Sequence, residues 1–247
     1  MSPLAGRVAW VVGASSGIGA AVARELADRG ARVAISARRA DQLDSVAGGR
    51  MLVVPADVTD RAAMADAAAT VAAELGPLDL VVISAGYWSA MRATEWDAEA
   101  FERHVEVNLG GTNNTLAAVL PGMLARGSGV VAGIASVAGY RGLAGSEAYG
   151  ATKAAQINLL EALRISLGRR GIRVVTICPG FVRTEMTDRN RFSMPFLIEA
   201  DEAGRAICDG LERGRAEIVF PLPMAVVMKL ARFVPVRVWA WLWRREG

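Results

Sequence analysis

The chain has 247 residues, of which 53% are hydrophobic, so it can bury the core of one large domain. Its formal net charge is only +3, which argues against a nucleic-acid-binding protein. The charge is distributed unevenly along the chain. The segment that starts at Pro221 has five cations and one acid, so its net charge is +4 and that of the remaining chain is −1. We therefore expect any partner that binds by charge to contact the C-terminal segment.

Patterns typical of strands and helices alternate along most of the chain. Seven short runs are too continuously apolar to have a solvent-facing side, as expected for parallel strands covered on both faces: Arg7–Val12, Arg32–Ser36, Met51–Val54, Leu78–Ser84, Gly129–Ile134, Arg173–Cys178 and Ile218–Phe220. Six helical patterns accompany them: Gly17–Arg29, Asp41–Ala47, Arg61–Leu75, Ala98–Ala125, Tyr149–Arg169 and Asp201–Arg213. This alternation predicts one Rossmann-like α/β domain over residues 1–220, a doubly wound, mostly parallel seven-stranded sheet with helices on both faces. An apolar and basic tail follows at residues 221–247.

Cysteine usage and targeting signals bear on the compartment. The two cysteines, Cys178 and Cys208, lie far apart and form no metal-ligand spacing, so we predict no metal site. The N-terminus lacks a basic-then-apolar signal pattern, and both features favour the reducing cytoplasm. No apolar run reaches the roughly 18 charge-free residues of a membrane-spanning helix. The longest candidate, Pro221 to Trp243, is interrupted by three cations.

A glycine-rich turn connects the first predicted strand to the first predicted helix. It reads Gly13-Ala14-Ser15-Ser16-Gly17-Ile18-Gly19. Glycines let a backbone approach a pyrophosphate closely, and the start of a helix offers free N–H groups and the positive end of its dipole. The position between strand and helix indicates a dinucleotide-phosphate site. The alternative is a tight turn without a ligand.

The end of the second predicted strand indicates which dinucleotide binds. An acid there would bond the ribose hydroxyls of NAD, whereas a cation would pair with the 2′-phosphate of NADP. Arg38 and Arg39 stand there and no acid does, so we predict NADP(H). Arg39 has the alternative of a solvated surface charge. We interpret Asp41, which a simple count from Gly19 would choose as the ribose-binding acid, as the N-cap of the next helix.

Two polar residues indicate proton-transfer chemistry, and a third is unusual for its place in a helix. Tyr149 and Lys153 are spaced i, i+4 at the start of a predicted helix, so they share one helical face. A tyrosine with a pKa near 10 is a poor acid–base group at neutral pH, but a neighbouring ammonium stabilises the phenolate and lowers that pKa. Asn108 lies in the middle of a predicted helix, where its amide competes for backbone partners.

In their order and spacing, these motifs resemble the short-chain dehydrogenase/reductase family over roughly residues 4 to 220. The glycine turn is similar to the family's TGxxxGxG motif, with Val12 in place of the usual Thr, and residues 149–155 are similar to its active-site helix. The resemblance implies that Tyr149 is the acid–base group and that Lys153 lowers its pKa and holds the cofactor ribose. It further implies that Ser136 orients the substrate and that Asn108 belongs to a water-linked proton relay.

The resemblance also implies further cofactor contacts. Asp57 and Val58 match the adenine-contacting position, for which a plain strand-end turn is the alternative. Ser84-Ala85-Gly86 matches the NNAG motif with Ser84 in place of an Asn, and residues 179–184 match the PGxVxT turn. The expected cofactor-binding residues are Gly13, Ser15, Ser16, Gly17, Ile18, Gly19, Arg38, Arg39, Asp57, Val58, Ser84, Ala85, Gly86, Tyr149, Lys153, Pro179, Gly180, Val182 and Thr184.

The substrate side is expected to be apolar. A lid is predicted at about residues 185–200, and the candidate substrate contacts are Tyr87, Trp88, Tyr140, Phe181 and Phe192. The mixture favours an apolar small molecule, although the same residues could simply pack the lid on the domain. We expect no catalytic role for His104, the only histidine, because it lies on a charged helical stretch.

Together these features predict an NADP(H)-dependent carbonyl reductase or alcohol dehydrogenase. The rival interpretation is a dinucleotide-binding regulator that has lost turnover, but such a site would be expected to lose Ser136, Tyr149 or Lys153. For the tail, which contains Trp239, Trp241 and Trp243, two partners remain: an anionic membrane surface or another subunit. The resemblance implies a dimer or tetramer. The tryptophans alternate, so one helical face cannot hold all three, and a subunit contact or packing of the tail on its own domain is slightly favoured over a membrane.

Overall fold

The computed structural model describes residues 2–188 and 193–243. Within these ranges seven strands form one sheet: β1 (Val8–Val12), β2 (Arg32–Ser36), β3 (Leu52–Val53), β4 (Leu80–Ile83), β5 (Gly129–Ile134), β6 (Ile172–Pro179) and β7 (Glu217–Phe220). The helices are α1 (Gly17–Asp28), α2 (Ala40–Ala47), α3 (Arg61–Leu75), α4 (Ala98–His104), α5 (Gly111–Arg126), α6 (Glu147–Gly168), α7 (Ala200–Glu212), α8 (Leu222–Ala231) and α9 (Val236–Trp243). All neighbouring strands are parallel, in the order β3-β2-β1-β4-β5-β6-β7.

The sheet is covered on both faces, which explains the continuous apolar runs. Every residue of β1 and β4 is buried. One face packs against α1, α2 and α7 through side chains such as Leu26, Leu43 and Ile207. The other face packs against α3, α5 and α6 through side chains such as Met64 and Met123. Because burial on both faces leaves no polar alternation, a doubly wound α/β fold follows from the sequence, and the fold prediction is confirmed.

Two details of the helices differ from the sequence prediction. The helix predicted over Ala98–Ala125 is interrupted by a wider, π-helical segment at Val105–Gly110, which separates α4 from α5. The interpretation of Asp41 as an N-cap is wrong, because α2 begins at Ala40 and its N-cap is Arg39. Asp41 instead lies in the first turn, where its carboxylate faces the positive end of the helix dipole.

The strand order fixes where a ligand can enter. From β1 the chain builds outward to β2 and β3 on one side, and from β4 it builds outward on the other side. The chain segments that follow β1 and β4 therefore run in opposite directions and leave a crevice at the carboxyl ends of these two strands. The glycine-rich turn follows β1, and Ser84-Ala85-Gly86 follows β4, so both motifs lie at this crevice.

The tail is helical, which the sequence analysis did not predict. Helix α8 places Met224 and Met228 in a small apolar cluster with Tyr140, beyond the end of β6. A short turn then leads to α9. In the part of the chain that the structure describes, no helix combines the length and apolar character needed to cross a membrane.

Candidate active site

A cavity of about 500 Å³ opens at the carboxyl ends of the strands. It is lined by residues that follow β1, β2, β4, β5 and β6 and by the start of α6. Every residue expected to contact the cofactor lines this cavity: Gly13, Ser15, Ser16, Gly17, Ile18, Gly19, Arg38, Arg39, Asp57, Val58, Ser84, Ala85, Gly86, Tyr149, Lys153, Pro179, Gly180, Val182 and Thr184. Motifs that are distant in sequence therefore meet in one place.

The glycine-rich turn offers an open helix start to this cavity. Gly13 has a φ of +88°, and a Cβ built on it would lie 2.4 Å from the backbone nitrogen of Ala85. A side chain at Gly13 would therefore force the turn away from the end of β4. Ser16 is the N-cap of α1 but makes no side-chain capping bond. The first-turn N–H groups of α1 are thus suited to hold a phosphate, and the residues present fit a dinucleotide.

The far end of the cavity carries positive charge. Arg38 and Arg39 both line it and are exposed. The Nη2 of Arg39 lies 3.2 Å from Ser15 Oγ and 3.5 Å from the carboxylate of Glu185 in the predicted lid. Arg103 on α4 also lines the cavity, and the sequence analysis missed it because nothing in its local pattern distinguishes it from a surface charge.

Asp57 forms a turn with Thr59 and also lines the cavity. Its Oδ1 accepts hydrogen bonds from the Thr59 backbone N–H at 2.9 Å and the Thr59 hydroxyl at 2.8 Å, which is a strand-end turn. It also lines the cavity. Burial raises the pKa of Asp57, but the bonds from Thr59 and the charge of Arg38 outweigh burial and lower the pKa overall. An ionised Asp57 therefore lines the cavity together with Arg38.

Ser136, Tyr149 and Lys153 meet at the opposite end of the cavity. Ser136 follows β5, and its Oγ accepts the Ala138 backbone N–H at 3.1 Å. Lys153 is buried, donates from Nζ to the Ile134 carbonyl at 2.9 Å, and holds Nζ 5.5 Å from the centre of the Tyr149 ring.

Gly139 allows this close approach of the Ser136 turn to helix α6. A Cβ built on Gly139 would lie 2.7 Å from the carbonyl carbon of Lys153, so a larger residue would push the turn away from α6. The distance between Ser136 and the Tyr149–Lys153 face thus depends on this glycine.

Tyr149 and Lys153 do not form a phenolate–ammonium ion pair at neutral pH. Burial of the hydroxyl raises the pKa of Tyr149 to about 12, although its hydrogen bond with Ser136 works in the opposite direction. Burial lowers the pKa of Lys153 to about 8. Desolvation is therefore the largest influence on both groups, and the lowering of the Tyr149 pKa that we expected from Lys153 is not seen. At neutral pH the phenol is protonated and Lys153 is mostly an ammonium.

Asn108 lies in the π-helical segment and is fully buried. Its Oδ1 accepts the Tyr87 backbone N–H at 2.7 Å, and its Nδ2 donates to the Tyr87 carbonyl at 3.1 Å and to Thr152 Oγ1 at 2.9 Å. Its own carbonyl accepts from Gln156 Nε2 at 2.8 Å. The side-chain amide of Asn108 thus connects the loop after β4 to α6. The π-helical distortion includes Asn108, the residue that is unfavourable inside a regular helix.

His104 lies behind the site, although the sequence analysis set it aside. It is fully buried, and its Nδ1 is 2.7 Å from the Ala100 carbonyl, while Nε2 lies 3.2 Å from the Ser89 backbone nitrogen. Its ring meets the Tyr87 ring edge-on at 4.8 Å and lies 6.5 Å from that of Tyr149. The signal that could have revealed it is its i, i+4 spacing from Asn108, which puts both on one helical face.

The candidate substrate residues divide into three groups. Tyr87 and Trp88 line the cavity. Tyr140 and Phe181 do not: the Tyr140 hydroxyl donates to Glu217 at 2.6 Å, and Phe181 packs against the apolar cluster that includes Met224. Phe192 lies outside the described residues. The described part of the lid reaches the cavity through Glu185, Met186 and Thr187.

The parallel sheet, its strand order and the crevice with an open helix start define a Rossmann-like α/β protein. The sequence profile described as short chain dehydrogenase matches residues 7–194, and the chain belongs to this family of oxidoreductases, which use a nicotinamide cofactor. The family prediction is therefore confirmed.

Similar proteins agree with this assignment. An oxidoreductase from Myxococcus xanthus of unspecified activity is 41% identical over 241 residues, which cover 95% of both chains. A short-chain dehydrogenase from Streptomyces avermitilis superimposes with a TM-score of 0.84 at 28% identity and covers 97% of this chain and 96% of its own. A variant of the actinorhodin polyketide ketoreductase, solved with NADPH, has a TM-score of 0.79 at 27% identity over 90% of this chain and 97% of its own.

Proposed function

We propose that this oxidoreductase is an NADP(H)-dependent reductase of carbonyl groups, reversible as a secondary-alcohol dehydrogenase, that acts on an apolar small molecule. The observation that carries the proposal is the meeting of a protonated Tyr149 with Ser136 and an ammonium at Lys153 at one end of the cavity. The arginines at the other end support the choice of NADP(H). The NADPH-bound ketoreductase of similar fold is consistent with this choice.

The proposed mechanism assigns a task to each residue. The start of α1 would hold the pyrophosphate, Arg38 and Arg39 the 2′-phosphate, and Lys153 the ribose hydroxyls. When bound, the nicotinamide would supply or accept the hydride. Ser136 donates a hydrogen bond that orients the carbonyl oxygen, and Tyr149 donates its proton to this oxygen as it becomes an alcohol.

The phenolate left by that step needs stabilisation and a new proton. The ammonium of Lys153, 5.5 Å from the Tyr149 ring centre, stabilises the negative charge. A Cβ built on Gly86 would lie 3.6 Å from Asn108 Oδ1 and 3.7 Å from Lys153 Nζ, so both groups border the same small space. This arrangement supports a water-linked proton relay between Lys153 and Asn108.

The reaction class is tested by NADPH oxidation over aldehydes and ketones of increasing chain length. We expect turnover that rises with the apolar size of the carbonyl compound, because Tyr87, Trp88 and the lid offer apolar surface. Reduction of only small, charged compounds would contradict the apolar substrate. Binding of NADPH without turnover of any compound would favour the regulator.

Cofactor choice is tested by Arg38→Ala. We expect NADPH affinity to fall by about tenfold to a hundredfold, because a charge-assisted contact to the 2′-phosphate is lost. NADH affinity should change by less than about twofold, since NADH lacks that phosphate. Fluorescence titration of both cofactors measures the two constants. Arg24→Ala, an exposed arginine on α1 outside the cavity, is the matched control. Equal losses for both cofactors would refute the assignment.

A further inference from the structure

Helices α8 and α9 carry an apolar surface, here called the tail face. Within the described ranges, nine of the fourteen large hydrophobic side chains that are exposed belong to it: Leu222, Val226, Val227, Leu230, Phe233, Val236, Val238, Trp241 and Leu242. Phe233, in the turn between the helices, is 84% exposed. Such a concentration of exposed apolar side chains in one short segment is typical of an interaction surface.

The opposite side of the two helices is attached to the domain. Met224 and Met228 are buried. Arg141 donates from Nη2 to the Val234 carbonyl at 2.9 Å, and Trp239 donates from Nε1 to the Gly142 carbonyl at 2.8 Å. One bond is made to the turn and the other is made from α9, and together they hold the helix pair in place, so the tail face is presented to the surroundings on a fixed support.

The charge of this segment identifies the partner. Residues 222–245 contain five cations and no acid. Lys229 pairs with Glu217 of β7, and the guanidinium of Arg232 lies 5.5 Å from the Tyr140 ring centre, so both cations stand at the border between the tail face and the domain. Arg237 is exposed on α9. Apolar side chains bordered by cations match acyl chains below anionic headgroups.

We propose that the tail face docks on an anionic lipid bilayer. Helices of 10 and 8 residues extend only about 15 Å and 12 Å, against a hydrocarbon thickness of about 30 Å, so they lie within the interface. A second copy of this chain fits less well. A two-fold contact between tail faces would place the cations of each copy against a segment of the other copy that has no acid to pair with them.

Vesicle co-sedimentation of the full-length protein tests this inference. We expect binding to vesicles of phosphatidylglycerol and phosphatidylcholine, weaker binding to phosphatidylcholine alone, and release at high salt. Leu230→Ser/Phe233→Ser should weaken partitioning by about tenfold or more for each side chain removed. The matched control is Ile165→Ser, which removes an apolar side chain that is 80% exposed on α6. Equal recovery in the supernatant with and without anionic vesicles would overturn the proposal, as would equal binding by the double variant and Ile165→Ser.

The variant Arg237→Glu measures how much charge, as distinct from apolar contact, contributes to vesicle binding. It should weaken binding to anionic vesicles by about thirtyfold, because the change removes one cation near the surface and adds one anion. Arg24→Glu changes the net charge equally on α1 and should leave binding unchanged. All variants lie on the surface, and thermal melting with NADPH titration verifies that they are folded. If light scattering shows that Leu230→Ser/Phe233→Ser separates an oligomer while no variant affects vesicle binding, the tail face is a subunit contact and the proposal is wrong.

Discussion

Tyr149→Phe is expected to lower kcat for carbonyl reduction by about a hundredfold to ten-thousandfold, the contribution typical of a general acid. The change removes the hydroxyl that is the proposed proton donor and keeps the ring that lies against His104 and Lys153. NADPH affinity should stay within about threefold, because Lys153 and the other cofactor contacts remain. Steady-state kinetics with a reactive carbonyl compound, combined with NADPH titration, measures both effects.

Tyr87→Phe is the matched control for this substitution. Tyr87 lines the same cavity, and its ring also contacts His104, so the two variants lose the same atom from neighbouring rings. We expect Tyr87→Phe to keep kcat within about fivefold, since its backbone, not its hydroxyl, bonds Asn108. A similar loss of kcat in both variants would show that the cavity needs its hydroxyl groups for packing or hydration, and would remove Tyr149 from the role of acid.

The fold was predictable because each strand is buried on both faces. Runs such as Val8–Val12 have no polar alternation, and their alternation with helical patterns along the chain favours a parallel sheet covered by helices. The break of the long helix at Val105–Gly110 was less accessible, because Asn108 and Gly110 disfavour a regular helix but do not by themselves indicate a wider turn. In the folded chain the Asn108 carbonyl accepts hydrogen bonds from the nearby Thr112 hydroxyl and from Gln156, which lies 48 residues later in the chain, and a local pattern contains no information about the second bond.

The site residues that directly follow strand ends were predictable, whereas the direction in which a side chain points after a turn was not. Ser136 and Gly86 come directly after parallel strands, so topology alone brings them to one edge of the sheet. Tyr140 follows Ser136 closely in sequence, but a helical turn at Val137–Gly139 directs it toward Glu217 instead of the cavity. The direction of a side chain after a turn depends on partners that are distant in sequence, which local patterns do not contain.

The pKa values of Tyr149 and Lys153 also depend on partners and burial that local sequence patterns do not contain. The i, i+4 spacing correctly brings Lys153 beside Tyr149, and a charge at that distance favours the phenolate. The spacing contains no information about desolvation, which in the folded chain is the larger effect on both groups. A tyrosine with a pKa raised to about 12 carries its proton at neutral pH, which is the state that the proposed proton donor needs at the start of reduction.

Lys153→Met is expected to lower kcat by about a hundredfold to a thousandfold, similar to the loss of one preorganised charged donor in a buried site. The methionine keeps the length and apolar stem of the side chain but removes the ammonium that stabilises the phenolate. NADPH affinity should also fall, because the proposed bond to the ribose hydroxyls is lost. Lys229→Met is the control, since Lys229 is the only other lysine and pairs with Glu217 outside the cavity.

The pH profile separates this charge effect from a packing effect. Burial lowers the pKa of Lys153 to about 8, so the ammonium is present below that pH and is lost as the pH rises through it. The rate of reduction by the unaltered protein should therefore fall above a pH of about 8, while the Tyr149 phenol, with its pKa of about 12, remains protonated. In Lys153→Met this alkaline decline should disappear, and the low residual rate should be flat from pH 6 to about pH 10. If the decline persists in the variant, another group titrates there, and the ammonium of Lys153 is not what stabilises the phenolate.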